Sequence, residues 1–317
     1  MNDTAVLAHG IDSLFGRRHR VANRSLHDAA ARREWAIAAM RSWIEANLPK
    51  FMPASLYAPI PVAAAAELAL TIFLIVQPDS PVYGTPVDAW ARRIANRIFA
   101  RLPDPSMCDC YDNSPAMSAI SDPAMLAPFV ALAKATGRIH PEREAVLAYV
   151  ESVAPKYDPA THIAQAVMGL SPQELGLWMR IDDSLKQIKA GHGHNFNRVA
   201  ARDLFDATLC LTQFGTHPGR VPIATKSAIQ AASGRLAKEF LSACDPESAA
   251  HILLSQTWNC GAPPDFDAVH ELVAQISRDG SIAGQEVRRG KSKPGFDSQW
   301  SPTLAVFRAI VLCAPAC

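Results

Sequence analysis

Apolar positions recur along this chain at the three-to-four-residue spacing of helices, and no segment shows the strict alternation of a half-buried strand. Ala36, Met40, Trp43 and Ile44 share one helical face. An amphipathic helix is therefore predicted from Ser25, where Asp28 completes a capping box, to the residue before Pro49. After Pro86, the residues Trp90, Ile94 and Ile98 form one stripe while Arg92, Arg93 and Arg97 turn away from it, as in a helix with a core face and a solvent face. The run from Val62 to Val76 is apolar almost throughout. It is shorter than the roughly twenty residues of a membrane span, it carries Glu67, and Pro61 and Pro78 bound it, so it reads as a helix buried on most sides.

Start and stop signals divide the remainder. The pairs Thr85-Pro86, Asp122-Pro123, His140-Pro141, Asp158-Pro159, Ser171-Pro172, Asp245-Pro246 and Ser301-Pro302 each set a proline after a residue that can cap, His140 being the weakest of them. Proline at the first helical position forfeits no intrahelical bond, and the Ser, Thr or Asp before it accepts from an orphan amide, so each pair marks a helix start. With Gly137 and Gly191 as stops, helices are predicted over about 123–136, 141–154, 159–168, 172–189, 198–214, 222–244, 246–258, 266–277 and 302–313. Roughly a dozen helices with short connections are what six helical hairpins need. Residues 1–24 hold Arg17, Arg18, His19, Arg20 and Arg24 without apolar periodicity and are expected as a flexible basic arm, leaving 25–317 as a single helical array domain.

A family resemblance enters near the C-terminus. The segment Ala268 to Ser281 ends a helix in the turn Gln275-x-x-x-Asp279-Gly280-Ser281, and after a polar loop Trp300-Ser301-Pro302 opens the next helix. This resembles the repeating unit of the α/α-toroid superfamily of terpene cyclases and protein prenyltransferases. The likeness implies an all-α, α/α-toroid-like array of helical hairpins around a central cavity, with Asp279 capping and Gly280 taking the turn. A second stretch, Leu204 to Gly215, resembles a helix end in uncharacterised bacterial toroid-like domains met near small-molecule biosynthetic genes; there a His and an Asp are usual where this chain has Asp206 and Gln213. The Asp-x-Asp-Asp acid motif of class II terpene cyclases and a prenyltransferase-type zinc set are both absent, so prenyl chemistry is not implied.

Composition adds bounds. Apolar residues make up 49% and charged residues 19%, which suits a folded chain with a large core. The net charge of +1 gives no general attraction to nucleic acid, and no membrane partner is expected. Seven cysteines in no regular framework, with no apolar leader, point to the reducing cytoplasm and to no disulfides.

Candidate chemistry gathers at a few polar residues. His192 and His194 sit two apart in a glycine-rich loop, where they could hold a metal with a third ligand, present an acid-base imidazole at a cavity rim, or lie exposed at a helix end. Three or four ligands make a tight metal site and no partner follows at knuckle spacing, so neither metal nor cofactor is expected. Asp182 and Asp183 read as solvated helix charges, and Cys108 and Cys110 lack the usual zinc spacing. Asp206, amid Leu204, Phe205, Leu209 and Leu211, must face a polar cavity, pair with a cation or bear a large desolvation cost. His251 and His270-Glu271 also lie among apolar residues, as lining of a central cavity or as satisfied core histidines. The loop Arg288 to Lys293 is either a solvated turn or an anion site.

The expected function is that of a cytoplasmic biosynthetic enzyme, or enzyme-like protein, binding a small organic substrate centrally. His192, His194, Asp206 and His270 would act as acid-base groups and Gln213, His251, Trp258 and Glu271 as substrate contacts. The rival is a non-catalytic helical scaffold offering a concave face to a protein partner, a carrier or a second copy of the chain. Convergence of the polar residues favours the first, dispersal the second.

Overall fold

The computed structural model describes residues 4–52, 62–100, 123–140, 143–152, 165–166, 174–190, 194–213, 217, 220–260, 265–290 and 293–313. Among them the chain forms only helices, turns and irregular connections, with no strand. The helices are α1 (Thr4–Phe51), α2 (Val62–Val76), α3 (Pro86–Phe99), α4 (Pro123–Ala135), α5 (Arg143–Ser152), α6 (Glu174–Ala190), α7 (His194–Leu211), α8 (Ile223–Ser242), α9 (Pro246–Cys260), α10 (Phe266–Ala274), α11 (Gln285–Arg288) and α12 (Phe296–Leu312). No helix of the described residues is long and apolar enough to cross a membrane.

The helices pack in two rows. One row runs α7, α9, α12, α2, α4, each touching the next, and the other runs α6, α8, α10, α1. The pairs α6/α7, α8/α9 and α10/α12 join the rows as hairpin-like units, while α3 lies on α2 and α5 on α4. The first row is the more deeply buried. From Ala64 to Val76 only Glu67 on α2 escapes full burial, and α12 is buried from Pro302 to Leu312. Such all-round apolar helices are stable only when neighbours cover every side.

Several of the predicted signals operate as read. Thr85 accepts from the amides of Val87 and Asp88 at the start of α3. Gly137, at φ +75°, closes α4 with the amide of Arg138 returning to the Ala133 carbonyl at 2.8 Å. Asp245 caps α9 by accepting from the Ser248 amide and hydroxyl. In the 277–284 turn, Asp279 Oδ1 accepts from the amide and hydroxyl of Ser281, and Gly280 stands at φ +87°. The pairs at Asp122, His140, Asp158 and Ser171 involve residues outside the described ones.

Two predicted starts are corrected. The backbone is already helical from Thr4 through Ser25, so Ser25 caps nothing; the local capping box is overridden by continuous helix, which leaves the amides of that turn bonded along the chain. The expected arm thus has a helical backbone over 4–24. Ser301-Pro302 also opens no helix, because α12 begins six residues before Pro302, at Phe296. Proline there cannot donate to the Ser298 carbonyl, and the amide of Gly284 takes that acceptor instead at 3.1 Å. A Cβ on Gly284 would stand 2.7 Å from the same oxygen, so the close approach requires glycine. The Ser301 hydroxyl donates to Glu247 rather than capping.

Candidate functional site

Four consecutive helices of the buried row direct a charged or polar side chain into one cluster: Glu67 from α2, Arg202 and Asp206 from α7, His251 from α9 and Arg308 from α12. Arg308 is wholly buried and its Nη2 donates to Glu67 Oε1 at 2.5 Å. Arg202 Nη2 lies 3.9 Å from Glu67 Oε2, its Nε donates to Asp206 Oδ2 at 3.3 Å, and its Nη1 is 3.4 Å from His251 Nε2. A guanidinium has no lone pair to offer, so His251 Nε2 is the acceptor of that contact and the ring proton of its neutral form sits on Nδ1. Phe205 is the apolar platform beneath. His251 stacks on its ring at 4.6 Å, Trp258 at 5.6 Å, and the guanidinium carbons of Arg202 and Arg308 lie 5.7 and 5.6 Å from its centroid.

The cluster is graded from solvent to core. The Arg202 side chain is 36% exposed and that of Glu67 14%, whereas those of Asp206 and Arg308 are 8% and 0%. An outer trio of charges, Arg198 with Asp245 and Glu247, flanks it on the α7/α9 seam. Inside, satisfaction is incomplete. Arg308 Nε and Nη1 and Asp206 Oδ1 have no hydrogen-bond partner among the described residues, and neither do Gln256 Oε1 and Asn259 Oδ1 further along α9. Each such buried group costs about 1–3 kcal/mol if left unmet.

Burial and neighbouring charge shift the titratable groups in opposite senses. Burial lifts the Asp206 carboxyl above its ordinary value even with Arg202 beside it, and the charge of Glu67 adds to the lift. Glu67 is held below its ordinary value, since Arg308 and Arg202 outweigh the effect of burial. His251 is driven well below the ordinary imidazole value by burial and by Arg202, Arg308 and Arg198, so it is neutral. Below a pH of about 6.5 the unfolded chain therefore binds a proton at His251 that the folded chain refuses. Its contribution thus makes stability fall as pH drops from there, by up to about 1.4 kcal/mol per unit. Urea unfolding between pH 7 and 5 is expected to show this slope in the native chain and a shallower one in His251→Gln. An unchanged slope would show that His251 titrates freely.

Of the residues expected from sequence, Asp206 and His251 meet in this cluster, and Trp258 lies buried one ring further out on Phe205. His270 is exposed on α10, where its Nε2 contacts Arg32 Nη1 at 3.3 Å, and Glu271 is exposed beside it. Both point away from the cluster because the apolar face of α10, Ala268, Leu272 and Val273, claims the inner side. Gln213 stands two residues past the end of α7 in a left-handed conformation, φ +46°. His192 lies outside the described residues, and His194 begins α7 with its side chain outside them. Asp182 and Asp183 are solvated and pair with Lys186, and Arg288 is tied to Gln275 and to the Ala283 carbonyl as a brace of its turn. Among the described residues no three His, Cys, Asp or Glu side chains are grouped to hold a metal ion.

Sequence reasoning missed Glu67, Arg202 and Arg308. The signal for two of them was the one that found Asp206: a lone charge in an apolar helix must be paired. Arg308 stands alone among Leu304, Ala305, Val306, Phe307, Ala309, Ile310, Val311 and Leu312, as Glu67 does in α2. No protein-family model, curated protein or solved structure matches this chain.

Proposed function

We propose that this chain is a toroid-like helical array whose central buried cluster binds a small organic molecule, and that it works as a biosynthetic enzyme of the cytoplasm. The observation that carries the reading is Arg308, a wholly buried guanidinium with the N–H on Nε and the two on Nη1 unpartnered among the described residues. A bound molecule's acceptors would relieve that cost, and Arg202, with a side chain 36% exposed, forms the solvent-facing side of the cluster. Convergence of Asp206 and His251 supports this reading over the scaffold. Proton transfer in the cluster would run through Asp206, whose carboxyl burial lifts above its ordinary value, while neutral His251, its Nε2 taken up by Arg202, helps to hold that guanidinium in place. Gln213, His270 and Glu271 take no part, and Trp258 backs the platform.

The test is a thermal-shift screen of the purified chain against small organic acids, amides, amines and alcohols at millimolar concentration. Members of the panel are expected to raise the melting midpoint of the native chain and to leave that of the charge-balanced double variant Glu67→Leu/Arg308→Met unmoved. A panel without effect, or responses that persist in the double variant, would overturn the proposal.

A further inference from the structure

Resting on that reading of the cluster, we infer that the group recognised there is a single carboxylate, carried by a small molecule with an apolar remainder and received by the N–H groups that Arg308 leaves open. The donors decide the polar end. Arg308 offers only N–H groups and accepts nothing; Glu67 takes one N–H of Nη2 while Nε and Nη1 have no partner among the described residues, so a carboxylate can fork onto one of those nitrogens and the second N–H of Nη2. A charge-assisted bond from a buried guanidinium to a carboxylate is roughly twice as strong as one to a neutral carbonyl.

The charge balance limits that anion to one unit. Inside the cluster Arg202 and Arg308 face Glu67 and Asp206, so at most one positive charge is left to compensate, and that when Asp206 holds its proton, the form toward which burial shifts it. A dianion such as phosphate would meet Glu67 with only Arg308 and the already paired Arg202 against it. Among the described residues the neighbouring cations are already engaged, Arg198 with Asp245 and Glu247 and Arg180 with Asp203. The walls set the rest of the molecule. One turn to either side of Arg308 on α12 lie Leu304, Ala305, Val311 and Leu312, all buried and apolar, and Phe205 lies beneath. Such walls suit a hydrocarbon body and offer nothing to the hydroxyls of a sugar.

The experiment follows the arginine Nε–H resonances of the full-length protein by nitrogen-15 NMR, the Arg308 signal being the one missing from Glu67→Leu/Arg308→Met. The probes are propionate, its neutral isostere propionamide, and inorganic phosphate. Propionate is expected to shift the Arg308 signal saturably and to bind at least about tenfold more tightly than propionamide or phosphate. Asp206→Asn, which holds that position uncharged, is expected to bind propionate equally or more tightly. Equal binding of propionate and propionamide, or preference for phosphate, would overturn the carboxylate assignment while leaving the cluster a ligand site. A signal that no probe moves would overturn both readings and leave Arg308 solvated by buried water. Loss of propionate binding in a folded Asp206→Asn would also overturn the assignment, since the carboxylate would then depend on Asp206 rather than on Arg308.

Discussion

Replacing Glu67 by Ala is expected to lower stability by about 3–5 kcal/mol, the range observed when one partner of a buried ion pair is removed. Arg308 is wholly buried and Glu67 accepts its only hydrogen bond among the described residues, so the variant strands a guanidinium in the core. The result would be read as a fall in the thermal midpoint of about 6–10 °C, at about 2 °C per kcal/mol for a chain of this size. Glu67→Leu combined with Arg308→Met is expected to recover most of the loss, since well-packed apolar residues often replace a buried pair at little cost. A single variant as stable as the native chain would mean that Arg308 finds another acceptor. The acid limb carries the same signature. Because Glu67 is held below its ordinary value, near 4.5, its contribution is present above that pH and is lost as pH falls through the lower folded value; the double variant should lack this component.

Gly280→Ala is expected to cost about 3 kcal/mol or more, for two reasons that add. Gly280 stands at φ +87°, where a side chain costs about 1–2 kcal/mol. A Cβ there would also lie 2.1 Å from the carbonyl oxygen of Ala39 and 2.8 Å from the amide nitrogen of Met40, both backbone atoms of α1 that cannot rotate aside. The 277–284 turn would have to lift off α1, with an overpacking cost of about 1–3 kcal/mol. The same substitution at Gly137, also at positive φ but with nothing within 4 Å of the added carbon, gives the backbone term alone. Urea midpoints of the two variants compare them directly, and equal losses would show that the contact with α1 is unimportant.

These two sites divide what is local from what is not. The sequence by itself determined the helical class, the extent of α2, the caps at Thr85 and Asp245, the stop at Gly137 and the Asp279-Gly280-Ser281 turn. Each of these rests on a residue's own conformational preference or on a bond spanning at most a few residues. It also singled out Asp206 and His251, since a polar side chain in an apolar helix is costly wherever the helix lies. It could not tell that they meet while His270 and Glu271 face outward, because that depends on which helix covers which face. Nor could it reveal why Pro302 is tolerated inside α12, where the freed carbonyl is taken by an amide of a separate turn. Only tertiary packing brings Glu67 to Arg308, 241 residues along the chain, and it does so for a physical reason: neither charge can be buried without the other.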